Sequence, residues 1–234
     1  MSADKVCVVA GVGPGNGAAF ARRFASSGYR VALLARKLDV TGPLEKELGG
    51  SKAYAVDLTS PDAVGATFAA IERDLGPTTV LVHNASGFAR SSFLDTTPEE
   101  FESVWRGGPW SLLLCAKQAA TQMLARGGGS ILAIGATASI RGGEAFASFA
   151  SSKAAHRSLA QSMARALGPR GIHVAYFVID GAINGTRTRQ FMPDKPDEAF
   201  LDPKAIAETA FHVAQQDRTA WTFELDLRPF GEKW

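Results

Sequence analysis

Val6-Cys7-Val8-Val9-Ala10-Gly11-Val12-Gly13-Pro14-Gly15-Asn16-Gly17-Ala18-Ala19-Phe20 is the stretch that decides the fold. Its first five residues are apolar and mostly β-branched, the composition of a strand buried on both faces. Glycine then stands at every second position from Gly11 to Gly17, and Ala18, Ala19 and Phe20 open a helix. A residue without a side chain lets backbone approach a ligand closely, and the first turn of a helix offers unpaired N–H groups and the positive end of its dipole. A tight turn with no ligand could use the same residues. Their position between a strand and a helix, at the head of a βαβ unit, favours a pyrophosphate resting on Gly11, Gly13, Gly15, Asn16 and Gly17.

The pattern continues outward from there. Apolar runs at 6–10, 30–35, 52–56, 79–83, 131–134 and 173–179 read as buried strands. Helix-length stretches rich in Ala, Leu, Arg and Glu lie between them at 17–27, 61–75, 98–126 and 144–167. Strand and helix in alternation predict a parallel sheet covered by helices on both faces, an α/β doubly wound domain. Pro61 and Pro98 follow Ser or Thr as first-turn prolines behind an N-cap, and Gly28, Gly76, Gly127 and Gly168 sit where helices should stop. Pro109, after Gly107 and Gly108, predicts a kink or a late start in the helix around it. The segment 185–203 is polar and weakly periodic, too long for a simple turn; it includes Arg187, Arg189, Phe191, Met192, Asp194 and Lys195 and is expected to be either a substrate lid or disordered. The whole chain, 1–234, reads as a single domain.

About twenty residues beyond the glycines, at the end of the second strand, a site that selects NAD would hold the ribose with Asp or Glu. Here stand Ala35, Arg36 and Lys37. No carboxylate repels a 2′-phosphate there, and the planar fork of Arg36 can bind one, so NADP(H) is the expected cofactor ahead of NAD(H). The bland reading of Arg36 and Lys37 is a solvated basic pair.

With 46% hydrophobic and 21% charged residues, the chain can bury one sizeable core. A formal net charge of only +2, with basic residues scattered, predicts neither a nucleic-acid partner nor an anionic membrane partner. No stretch resembles a signal peptide or a spanning helix, so a cytoplasmic protein is expected. Cys7 and Cys115 read as buried reduced thiols. His83, His156, His173 and His212 share no ligand spacing and predict no metal site, with His83 expected to bond backbone at the end of its strand.

Several of these residues in combination resemble the short-chain dehydrogenase/reductase family over nearly the whole chain. Gly11, Gly15 and Gly17 match its TGxxxGxG turn with Ala10 in place of Thr. Asp57, in Val56-Asp57-Leu58-Thr59, matches an acid that contacts adenine. His83-Asn84-Ala85-Ser86 resembles the NNAG segment, and Ser152-Lys153 matches the end of YxxSK. The resemblance implies a seven-stranded Rossmann fold, a nicotinamide dinucleotide and a homodimer or homotetramer. It also implies cofactor contacts at Leu58, Asn84, Ala85, Lys153, Gly181 and Ile183. In the helix 144–167, apolar residues on more than one face, among them Phe146, Phe149 and Leu159, fit either a partner subunit or a fully internal helix.

The resemblance fails where the family keeps its proton chemistry. Four residues before Lys153, at the place of the family's Tyr, stands Phe149; thirteen further back, at the place of its Ser, stands Ala136. The family's Asn falls at about Gly108, so Lys153 alone is retained. Ser148 does not rescue Phe149, because it points about a hundred degrees away around the helix. A positioned acid and an oxyanion donor are each worth roughly 10² to 10⁴ in rate. Asp180, which replaces Pro in the family's Pro-Gly pair, and Glu144, at the expected start of the Lys153 helix, are candidate acids or bases; ordinary strand-end and helix-start residues would look the same. Two readings follow: an NADP(H)-dependent oxidoreductase on an unknown small carbonyl or alcohol substrate, and a catalytically silent NADP(H)-binding sensor or non-catalytic subunit.

Overall fold

The computed structural model describes residues 5–232, apart from the side chain of Arg187. β1 (Val6–Ala10), α1 (Asn16–Ala25), β2 (Arg30–Ala35), α2 (Leu38–Glu47) and β3 (Lys52–Ala55) build the first half of a sheet. After α3 (Pro61–Leu75) and β4 (Val80–His83), the chain runs through α4 (Pro98–Trp105), a π-helical turn at Arg106–Trp110 and α5 (Ser111–Ala125). β5 (Gly129–Ile134), α6 (Ala147–Leu167), β6 (Ile172–Ile179), β7 (Ala182–Ile183), α7 (Thr186–Phe191), β8 (Phe200–Leu201), α8 (Pro203–Ala214) and β9 (Glu224–Leu227) complete it.

The main sheet has seven strands in the order β3-β2-β1-β4-β5-β6-β9, and every pairing is parallel. This is the doubly wound Rossmann arrangement expected from the alternating pattern. Successive residues of β1 enter opposite cores: Val6, Val8 and Ala10 pack with Phe68, Leu112 and Ala160 on one face, Cys7 and Val9 with Phe20, Phe24 and Ile206 on the other. Burial on both faces explains why β1, β2, β4, β5 and β6 read as continuous apolar runs, whereas 52–56, expected as a buried strand, is the partly exposed edge strand β3. The order reverses between β1 and β4, and ligands of such sheets bind at the carboxyl ends of the strands beside that switch point.

Ser60 and Thr97 cap α3 and α4 through their side chains, each ahead of a first-turn proline. Pro109 lies in the π-turn, which absorbs the missing donor and splits the expected helix into α4 and α5. Of the two ends of α6, one differs from the sequence reading. α6 ends at Leu167 with Gly168 as its C-cap, as expected, and the chain continues as a 3-10 turn to the left-handed Gly171, at φ +86°. The Lys153 helix begins at Ala147, because Ser91 pairs with Phe146 and takes the Ala145 carbonyl, which leaves exposed Glu144 outside the helix. The segment 185–203 is folded rather than disordered, as α7 and a short parallel pairing of β7 with β8. Arg189 clasps it, bonding the Asn184 side chain at 3.0 Å and the Lys195 carbonyl at 3.1 Å, pairing with Asp197 and lying over the Phe200 ring.

Candidate active site

The glycine turn leaves β1 at the switch point and divides into two kinds of position. Gly11, at φ +90°, lies so close to Ala85 that an added Cβ would stand 2.6 Å from its backbone nitrogen. A Cβ on Gly17 would stand 2.7 Å from Val12 Cα and 2.8 Å from the Gly11 carbonyl. These two glycines close the turn on itself. Gly13 and Gly15 face open space, with nothing within 4 Å of an added Cβ. They leave room above the first turn of α1, which has neither a side-chain cap nor an acidic residue, in contrast to the capped α3, α4 and α8. Asn16 is buried and its Oδ1 has no partner. Asn84 floors the turn, donating from its side chain to the Gly11 carbonyl at 2.8 Å. The room over uncapped helical N–H groups and the pinned floor fit a bound diphosphate.

Arg36 and Lys37 are exposed at the carboxyl end of β2. Asp57 follows β3 and accepts from the Thr59 amide at 2.9 Å and hydroxyl at 2.8 Å. Those two bonds, with Arg36 and Arg106 nearby, hold its carboxyl below the usual range. Leu58 is buried beside it. Gly181, at φ +148°, lies against Pro229, and Ile183 pairs with Leu201 in the small sheet.

Lys153 is 4% exposed, and its Nζ donates to the Ile134 carbonyl at 3.0 Å. Burial lowers its ammonium to about 8. Phe149 lies one turn earlier, with its ring centroid 5.8 Å from that Nζ. Ala136 is extended backbone at the head of the Thr137–Ser139 turn. Asp180 is engaged on both oxygens: it accepts from Thr137 Oγ1 at 2.5 Å and pairs with Arg228 at 3.3 Å. A Cβ on Gly108 would stand 2.4 Å from Ser152 Oγ, so the Ser152 hydroxyl would have to turn aside to admit a side chain.

The sequence reading missed one constellation. Besides a bond to its own backbone, His83 has its Nε2 3.0 Å from Ser111 Oγ and its Nδ1 3.2 Å from His156 Nε2. Both rings are fully buried, and burial, with the Lys153 charge adding to it, lowers their basicity, that of His83 to about 3. His156 shares a face of α6 with Lys153 at i+3, the one local signal that could have marked it. No cluster able to hold a metal exists among the described residues, and Cys7 and Cys115 are both free and buried.

The architecture and the glycine turn define a dinucleotide-binding Rossmann protein. A family model described as short chain dehydrogenase matches residues 5–196. The 3-oxoacyl-acyl-carrier-protein reductase of Mus musculus is 33% identical over 189 residues, 80% of this chain and 78% of the mouse protein. A short-chain dehydrogenase from Rhodopseudomonas palustris superposes with a TM-score of 0.82 at 35% identity, covering 97% of this chain and 99% of that one. A metagenomic short-chain oxidoreductase in complex with NADP gives 0.82 at 26% identity, over 97% and 98% of the two chains. The chain belongs to the short-chain dehydrogenase family of oxidoreductases. No helix among its described residues is long and apolar enough to cross a membrane.

Proposed function

We propose that the chain is an NADP(H)-dependent oxidoreductase that interconverts a small carbonyl compound and its alcohol, working as a cytoplasmic homodimer or homotetramer. One observation carries the cofactor choice: two exposed cations, Arg36 and Lys37, stand at the β2 end where a carboxylate would select NAD. The NADP complex of a relative with the same fold supports it. In this reading the α1 amides around Gly13, Gly15 and Asn16 take the diphosphate, and Arg36 takes the 2′-phosphate. Asp57, Leu58, Asn84 and Ala85 border the adenosine half; Gly181 and Ile183 border the nicotinamide half. The bound dinucleotide supplies or removes hydride. Lys153, held by the Ile134 carbonyl, turns its remaining N–H bonds toward the ribose and keeps a positive charge beside the reacting oxygen. The segment 185–203 closes over the substrate, with the exposed Phe191 on its helix. Asp180, tied to Thr137 and Arg228, anchors the loop behind Ala136.

Titration calorimetry tests the reading. NADPH is expected to bind more tightly than NADH, and Arg36→Ala to weaken NADPH by about ten- to a hundredfold while leaving NADH unchanged, since a hydrogen bond to a charged group is worth roughly 1.5–3 kcal/mol. Folded protein that takes up neither dinucleotide refutes it. A second reading, a silent NADP(H) sensor or non-catalytic subunit, is favoured by Phe149 and Ala136, which cannot hydrogen-bond a substrate oxygen. Binding without turnover, until Ala136→Ser and Phe149→Tyr are made together, would support that one.

A further inference from the structure

At the end of the sheet opposite the glycine turn, a cavity of about 360 Å³ opens between the end of α5, the starts of β5 and β6 and the loop after α8. Cavities of roughly 300–1,000 Å³ are the size that takes small molecules. Arg126, Gly128, Gly171, Gln216, Arg218 and Trp221 are among the residues that line it, and no carboxylate is among them. Elsewhere arginines are committed to acids: Arg22 to Glu47, Arg23 to Glu208, Arg157 to Glu224 and Arg189 to Asp197. The side chains of Arg126 and Arg218 make no hydrogen bond or ion pair among the described residues. Nor do they cap the helices whose last turns border the cavity. The Met123 and Leu124 carbonyls of α5 accept from the amides of Arg126, Gly127 and Gly128. The His212, Val213 and Ala214 carbonyls of α8 accept from the amides of Gln215 and Gln216 and from the Ser130 hydroxyl. Asp217, beside Arg218 in the chain, accepts from the Thr219 amide at 2.9 Å and hydroxyl at 2.6 Å, and it feels the Arg218 charge without bonding it.

The walls of the cavity are fixed. Gly128, at φ +152°, and Gly171, at φ +86°, hold backbone that side chains rarely enter, and Cβ atoms there would stand 2.6 Å from the Gly171 carbonyl and 3.0 Å from the Gly127 carbonyl. The same two Cβ positions lie 3.4 Å and 3.6 Å from Arg218 Nη2, so that guanidinium rests over two bare turns. The Trp221 ring stacks on His173 at 4.9 Å with 2° between the planes, and its Nε1 donates to the Gln216 carbonyl at 3.3 Å. The Gln216 side chain closes on Thr222, accepting from its amide at 2.8 Å and donating to its hydroxyl at 2.9 Å. We infer that this cavity binds a small soluble phosphate monoester, its dianionic head between Arg126 and Arg218 and its organic part against Trp221. Two guanidinium forks match a phosphate dianion in charge and in bidentate geometry. Two cations drawn to one acid-free cavity repel each other, and a dianion between them turns that repulsion into attraction. The fixed indole offers the organic part of an ester apolar area that inorganic phosphate cannot use. The cavity lies about 20 Å from the carboxyl ends of the strands, the length of the six-residue β5. The inference therefore stands apart from the oxidoreductase reading.

Calorimetry with phenyl phosphate, at constant ionic strength and with NADP⁺ in excess to occupy the glycine turn, tests the inference. Saturable binding is expected, weakened about tenfold or more by Arg126→Ala and by Arg218→Ala and lost in the double variant. Inorganic phosphate should bind the wild type more weakly than phenyl phosphate, and Trp221→Leu should bring the two closer. Both arginines are exposed and hold no bond in the fold, so their variants should melt as the wild type does without ligand. The rise in melting temperature that phenyl phosphate gives the wild type should vanish in the double variant. Lack of saturable binding, binding that survives the double variant, or benzoate bound as tightly as phenyl phosphate each overturn the inference. So does weakening by Gly13→Ala with none from the arginine variants, which would put the ester on the glycine turn. The arginine variants locate the site, so the result holds whether or not NADP⁺ binds.

Discussion

Lowering the pH should unfold this protein through two histidines, and the geometry says by how much. Ser111 donates to the Gly107 and Gly108 carbonyls, at 2.9 Å each, so its single proton is committed. His83 Nε2 must then be the donor to Ser111, His83 Nδ1 the acceptor from His156 Nε2, and His156 Nδ1 is left bare, buried and without a partner. Both rings are neutral, with the Lys153 charge and the Tyr176 ring as neighbours. Their folded pKa values lie below the unfolded value of 6.5, His83 at about 3. Below pH 6.5 the unfolded chain therefore binds protons that the native chain refuses, and stability falls as the pH drops from 6.5 toward 3. Each such imidazole contributes a slope of up to about 1.4 kcal/mol per pH unit, or roughly 1.2 between pH 6 and 5, so the pair contributes roughly 2.4 there. His173, also buried and lowered, adds to a background shared by all variants. His156→Gln keeps a donor for His83 Nδ1 but takes up no proton. Urea titrations from pH 7 to 5 should show its stability falling less steeply than wild type, by about 1.2 kcal/mol per pH unit between pH 6 and 5. Parallel profiles would refute the assignment of two neutral buried rings.

The glycine turn separates folding from binding: Gly17→Ala drives a Cβ to 2.7 Å from Val12 Cα and should lower the melting temperature by several degrees, whereas Gly13→Ala enters open space and should melt normally while losing at least tenfold in dinucleotide affinity by calorimetry. Lys153 has a folded pKa of about 8 against an unfolded 10.5, so both states are charged below pH 8 and stability is gained as the pH rises from about 8 to 10.5. Lys153→Met should stabilise the protein at pH 7 by up to about 3 kcal/mol and flatten that rise, with denaturant midpoints as the measure. Gly108→Asn should destabilise the protein, because its Cβ meets Ser152 Oγ at 2.4 Å, and Ser152→Ala should restore much of the loss, since the next Ser152 atom is 3.8 Å away.

The fold was legible because strands buried on both faces carry apolar runs that need no context to recognise. β1, β2, β4, β5 and β6 all announced themselves this way. β9, Glu224-Leu225-Asp226-Leu227, did not, since an edge strand is covered on one side only and alternates charge with leucine. The glycine turn was legible as a motif, but the division between Gly11 and Gly17, which pack, and Gly13 and Gly15, which leave space, depends on where Ala85 and Val12 come to lie. The histidine pair was invisible for the same reason. His83 ends a strand and His156 sits in mid-helix, 73 residues apart, and only the packing of α6 against the sheet brings them within bonding distance.

That packing also surrounds Gly108, where the chain departs from the family pattern. Gly108 lies in the π-turn, where Pro109 removes a helical donor and the Ser111 hydroxyl bonds two of the turn's carbonyls. A Cβ at 108 would stand 2.4 Å from Ser152 Oγ, the end of a side chain that donates to the Val104 carbonyl one turn earlier, while the Ser152 Cβ is 3.8 Å away. Ser152 precedes Lys153, and His156, one turn on, joins the same π-turn through His83 and Ser111. A side chain at 108 would turn the Ser152 hydroxyl off the Val104 carbonyl. Restoring Asn alone should cost stability before it could restore any chemistry.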